Sequence, residues 1–170
     1  DQEPVRIWVN LSARQLGDPD LLNYVQSAID DAGITTDEIC LEITESALMG
    51  DAETATEQLD ELRRLGISLG IDDFGIGWSQ FGYLQRLPLD VLKIDRSFVS
   101  GLGTEKSATT IVAAIIDLAH ALGLIVIAEG VETRQQLDVL TELDCDQALG
   151  FYFSQPQSPE AFDEVLTPLT

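Results

Sequence analysis

Hydrophobic and polar positions follow a repeating rhythm along the chain: short β-branched and aliphatic runs alternate with longer segments whose apolar positions recur every three or four residues. Six runs are predicted as strands: VRIWVN (5–10), ICLEIT (39–44), ISLGID (67–72), VLKID (91–95), LIVIAE (124–129) and ALGFYF (148–153). Turn and cap residues mark helices between them. Asp18, as N-cap with Pro19 at the first helical position, opens one that Gly33 stops after LLNYVQSAIDDA. The next spans about 51–65 before Gly66. A longer one spans about 105–122, with Ile111, Ile115, Leu118 and Leu122 on one stripe and Gly123 beyond it. Further helices are predicted near 132–143 and 159–166, the last led by Ser158 and Pro159.

Strands that are almost continuously apolar are covered on both faces, which predicts an α/β fold around a parallel sheet. An open, doubly wound sheet gathers its ligand at one switch point, whereas a barrel collects polar residues from the C-terminal ends of many strands. Here the polar residues are spread over many strands. Asn10 closes the first, Glu42 sits late in the second, Asp72 and Asp73 close the third, Lys93 and Asp95 the fourth, and Glu129 the fifth. Charges in apolar strands are costly unless paired or metal-bound, so five such ends on one edge argue for a shared site.

Composition narrows the chemistry. The 170 residues carry 30 acidic and 9 basic side chains, a formal net charge of -21, which argues against duplex nucleic acid and anionic membranes as partners. No apolar run is long enough to span a bilayer and the N-terminus lacks the zones of a signal peptide, so a soluble, cytoplasmic domain is expected. The two cysteines, Cys40 and Cys145, lie in separate apolar segments and suggest reduced core thiols. A phosphate-ester substrate would require bound cations to reverse the local field. Oxygen-only donors select hard divalent ions such as Mg²⁺ or Mn²⁺. His120, the one histidine, falls inside a helix away from every strand end, which argues against histidine-based catalysis. Asp72 and Asp73 point apart if both are extended, but a turn into FGIG (74–77) would bring both to one pocket.

The motifs VNLSARQL (9–16), LEITES (41–46), IDDFGIGWSQFGYLQRLPLDVLKIDRSFV (71–99), IAEGVET (127–133) and CDQALGFYFSQP (145–156) resemble, in order and spacing, the successive signatures of EAL-type cyclic diguanylate (cyclic di-GMP) phosphodiesterases. The resemblance covers essentially the whole chain. It implies a TIM-like (β/α) barrel in which Asn10, Glu42 and Asp72 match metal ligands and Asp73 joins the second metal site. Lys93 matches the lysine at the attacking water, Asp95 the acidic residue of the same motif, Glu129 the glutamate near metals and water, and Glu132 one that helps hold metal or substrate. Glu45 resembles the glutamate anchoring the loop that runs from Asp73 to about Ser79. The implied reaction is in-line attack of an activated water on one phosphodiester, opening the ring to linear pGpG with Mg²⁺ or Mn²⁺. A homodimer and flanking sensor or GGDEF-type domains are implied as well.

The sequence departs from the family in three places. The Glu-Ala-Leu segment, which carries a metal ligand, belongs several tens of residues before Asn10, and the chain starts at Asp1. Residues 1–170 thus read as one EAL domain lacking its N-terminal portion, with about six of eight strands and weak or absent activity alone. Leu149 stands where glutamine is usual, and Ile76 and Trp78 where the loop has threonine and tyrosine. A second reading keeps the fold without catalysis, as a cyclic di-GMP receptor or interaction scaffold. A third, an enolase-type barrel, lacks a proton-abstracting base.

Overall fold

A computed structural model describes residues 6–49, 52–75, 84–158 and 161. Strand β1 (Ile7–Asn10) leads into a short helix α1 (Ala13–Leu16) and then α2 (Leu21–Ala32). After a 3-10 turn at Thr36–Glu38 come β2 (Ile39–Thr44), a second 3-10 turn at Glu45–Met49, α3 (Ala52–Arg64) and β3 (Ser68–Phe74). The C-terminal half contains β4 (Val91–Ile94), α4 (Arg96–Val99), α5 (Lys106–Ala121), β5 (Ile125–Ala128), α6 (Arg134–Glu142) and β6 (Gln147–Ala148).

The six strands form one sheet in chain order, each parallel to its neighbours. Such an order never reverses, so there is no switch point; this is the wall of a partial barrel rather than a doubly wound sheet. The two sides of the wall differ because side chains alternate along a strand. Leu41, Ile43, Leu69, Ile71, Leu92, Ile94 and Val126 join Leu59, Leu62, Val112, Ile116 and Leu140 of the helices in the main apolar core. Burying each of these side chains fully is worth about 1.5–3 kcal/mol. Residues of the opposite parity, including Cys40, Gly70, Val91 and Lys93, face inward. Gly70 lies among them: a Cβ on it would stand at ordinary contact distances, 3.5 Å from the Trp8 ring, 3.6 Å from Cys40 Sγ and 3.7 Å from Val91 Cβ.

Several expectations shift. The run at 148–153 is not a strand: only Gln147 and Ala148 pair with β5, after which Leu149–Phe153 turn while bonding to the loop after β5, and Phe151 and Phe153 are exposed. Helix α2 starts two residues later than Pro19 suggests, because Asp18 accepts from the Asp20 N–H at 2.9 Å and forms a turn of its own. On α5 the buried stripe is Ala108, Val112, Ile115, Ile116 and Ala119, leaving Ile111 exposed. Strand β1 has Ile7 and Val9 exposed on its outward face, so not every strand is covered on both faces among the described residues. The helix expected at 159–166 lies, apart from residue 161, outside the described residues, as do Ile76, Trp78 and most of the loop after Gly75. No described helix is long and apolar enough to cross a membrane.

Candidate active site

Four strand ends deliver the charged inward positions of the wall's C-terminal edge. Parallel pairing sets Asn10 opposite Glu42, Glu42 opposite Gly70 and Thr44 opposite Asp72, so period-two alternation carries Glu42 and Asp72 to the same side. Lys93 enters from β4, and Glu129 follows directly after β5, its N–H donating to the Ile94 carbonyl at 3.0 Å.

These side chains meet on one ammonium group. Lys93 Nζ lies 2.5 Å from Glu42 Oε1 and 3.5 Å from Asp72 Oδ1, and it also pairs with Glu129 Oε1. The side chains of Lys93 and Glu42 are 8% and 6% exposed, so water does little to screen them. Burial alone would depress the Lys93 pKa; the Glu129 and Glu42 carboxylates against the ammonium and the charge of Asp72 overcome it and raise it well above the ordinary lysine value. Burial raises the pKa of Glu129, with Lys93 opposing that rise. Burial first, then the Asp72 and Asp95 charges, also raises that of Asp73. The ammonium also stands 5.8 Å from the centroid of the Trp8 ring.

Can these residues take a metal ion? They close on Lys93 rather than on a vacant centre, and among the described residues no three acidic, histidine or cysteine side chains are set to hold a cation. Yet the donors are all oxygens, and three carboxylates against one ammonium leave two negative charges. Glu42 Oε1, though close to Nζ, is a fully buried atom that receives no properly directed hydrogen bond. A buried, under-used carboxylate oxygen in a negative, oxygen-only cluster fits a hard divalent cation.

A family model described as "EAL domain" matches residues 1–156. The chain belongs to the EAL domain family. Cyclic di-GMP phosphodiesterase NbdA of Pseudomonas aeruginosa is 44% identical over 164 residues, 96% of this chain and 21% of that protein. Among solved structures, the PaMucR phosphodiesterase in its c-di-GMP complex matches with a TM-score of 0.87 at 39% identity, over 92% of this chain and 64% of that one. The manganese/cy-diGMP complex of Klebsiella pneumoniae BlrP1 matches with a TM-score of 0.82 at 30% identity, over 89% and 39%. This EAL chain spans about a fifth to a quarter of the length of the curated relatives it matches.

The remaining sequence candidates sit around the EAL cluster rather than in it. Asn10 is exposed and lines a cleft of about 370 Å³ with Ser12, Thr44 and Ser46. Asp73 leaves the extended conformation at φ 55°, where the pairing of β3 with β4 slips, and its N–H donates to Asp72 Oδ1 at 2.9 Å. This is an irregularity inside β3, just before the FGIG segment where the turn was expected. Asp95 caps α4, accepting from the Ser97 N–H at 2.9 Å, and Glu132 is exposed in the loop before α6. Glu45 is buried, and its Oε2 accepts from the Gly75 N–H at 3.3 Å, at the start of the loop assigned to it. Trp8 was missed as a site residue. Its signal was available: it stands two positions before Asn10, on the same face of the same strand, as Gly70 stands before Asp72.

Proposed function

We propose that this chain supplies the greater part of the catalytic face of a phosphodiesterase that opens cyclic di-GMP to linear pGpG with Mg²⁺ or Mn²⁺. The observation that carries the reading is the convergence of Glu42, Asp72 and Glu129 on Lys93, four residues from four successive strand ends. The activities named for NbdA and PaMucR support the substrate, and the manganese complex of BlrP1 supports a divalent cofactor.

In this reading Asn10, Glu42, Asp72 and Asp73 hold the cations, which when bound offset phosphate charge and acidify a water molecule. The protein residues do the rest. Glu129, less buried than Glu42 and with its pKa raised by burial, takes the proton from the attacking water. Lys93 fixes the Glu129 carboxylate and donates toward the water oxygen. Asp95 and Glu132 act from outside this group, on substrate or through neighbours, and Glu45 anchors the loop that begins at Gly75. The same reading puts the reaction in the cytoplasm of a longer protein, where the extra length of the relatives leaves room for sensor or GGDEF-type domains and a homodimer.

Chromatographic separation of cyclic di-GMP from pGpG tests the proposal on the complete protein in Mg²⁺ or Mn²⁺. Turnover that disappears in Asp72→Asn is the expected result; turnover unaffected by that change would sink it. The specific sign in favour of a non-catalytic receptor is Leu149, half exposed where the family has glutamine. Calorimetry showing cyclic di-GMP binding with no turnover in saturating Mg²⁺ would select that reading instead.

A further inference from the structure

Lys93 occupies an unusual seat. Its ammonium meets three carboxylates and also lies over an indole ring, at a separation within the ~6 Å range of cation–π attraction. The ring packs on the inward wall at Gly70, where a Cβ would stand in ordinary van der Waals contact with it at 3.5 Å. The two contacts are of different kinds. Carboxylate oxygens are the groups a divalent cation needs, whereas a ring face attracts an ammonium without being a ligand for a hard ion.

We propose that Trp8 is a positioning residue that seats Lys93 as the resident counter-ion of Glu42, Asp72 and Glu129, and that a divalent cation binds by exchange with this ammonium rather than by addition to an open site. The inference rests on the metal-binding part of the proposed function. It explains two features together: three carboxylates from separate strand ends gather on one ammonium, and that same ammonium lies over the Trp8 ring. On exchange the ion takes carboxylate oxygens, while the Trp8 face keeps the displaced ammonium beside the cluster. The seat thus holds Lys93 where the chemistry needs it in both states.

Lysine occurs only at positions 93 and 106, so selective ¹³C labelling at Cε gives one resonance for each, and Lys93→Met identifies the first. In the metal-free chain, ring current is expected to move the Lys93 ε-protons upfield of those of Lys106. Trp8→Phe should retain part of that shift and Trp8→Leu lose it. Mg²⁺ should move the Lys93 signal saturably while leaving Lys106 in place. In calorimetry, Lys93→Met should bind Mg²⁺ roughly tenfold more tightly or better, because the competing charge is gone. Coincident lysine signals that ignore Trp8→Leu, a Lys93 signal unmoved by bound Mg²⁺, or equal Mg²⁺ affinity in Lys93→Met would each overturn the proposal. The tryptophan variants keep the test decisive if Lys93→Met does not fold. No nucleotide is used, so its failure is separate from failure of the phosphodiesterase reading, which the pGpG assay reports.

Discussion

Replacing Gly130 by alanine tests how tightly the loop beside Glu129 is held. Gly130 has φ +73°, and a Cβ there would fall 2.4 Å from Arg96 Cβ and 3.3 Å from Arg96 Cα. Two costs arise. A left-handed backbone costs a residue with a side chain about 1–2 kcal/mol. Forcing the loop away from Arg96 adds about 1–3 kcal/mol, as other overpacked sites do. Gly123 separates the two, because at φ +75° it has nothing within 4 Å of its added Cβ. Gly123→Ala should therefore show the backbone cost alone, reduced by about 0.4–1 kcal/mol because alanine also restricts the unfolded chain. Urea unfolding of both variants against the parent gives the difference directly. Gly130→Ala is expected to lose about 2–4 kcal/mol, a fall in Tm of about 2–4 °C for each kcal/mol in a domain of this size. In the complete protein the displaced Glu129 should also lower hydrolysis by about 100-fold, the usual consequence of misplacing a reacting group by an ångström. Equal losses in the two alanine variants would refute the reasoning, since they would mean that the loop moves off Arg96 at no cost.

Three further outcomes follow from local geometry. Asp146 Oδ2 accepts from the Val126 N–H at 2.8 Å and lies 3.0 Å from His120 Nε2; burial would raise its pKa, but these partners outweigh it and the net shift is downward. Its stabilising effect is therefore complete above the ordinary aspartate value of 3.8 and is lost as pH falls through the lower folded value. The stability gap between the parent and Asp146→Asn should be present at neutral pH and shrink below about pH 4, and a gap constant with pH would contradict this. Cys40 is buried with its thiol pKa pushed up to about 12, and that of Cys145 is raised by burial, so thiol reagents at pH 8 should leave Cys40 unmodified until the chain unfolds. Rapid labelling of Cys40 in the folded protein would show the inward wall to be open. Removing the acceptor for the Gly75 N–H by Glu45→Ala should cost about 1 kcal/mol and speed amide exchange at Gly75, and unchanged exchange there would deny Glu45 its anchoring role.

Much of the wall and its site could be read from the chain because both depend on alternation within single strands. ICLEIT and VLKID each put an ionisable group among aliphatic neighbours, and in the structure Glu42 and Lys93 are both buried and meet. What the run of residues concealed was set by neighbours distant in sequence. Residues 148–153 have the composition of a strand, yet only Ala148 among them pairs, because Leu149 and Tyr152 bond to the backbone of Val131 in the loop after β5. The stripe on α5 was misplaced because both faces of that helix carry apolar residues, and contact with the sheet, not period, chooses between them. Asp95 shows a competing local demand: a carboxylate just after a strand also suits the start of a helix, and its side chain caps α4. Trp8 escaped notice because an indole at a strand centre suggests packing alone, and its partner Lys93 lies three strands away.

The sequential order of the strands bears on how the chain reaches its native state. Glu42, Asp72, Lys93 and Glu129 are separated by 30, 21 and 36 positions, and no two of them share a strand. Any one of their contacts must close a loop of twenty residues or more, the class of contact that forms late and slowly. A fragment that folds only one strand and its following helix therefore holds a single member of the cluster. Cation affinity, followed in time during refolding, would serve as a clock for the last event in assembly of the wall.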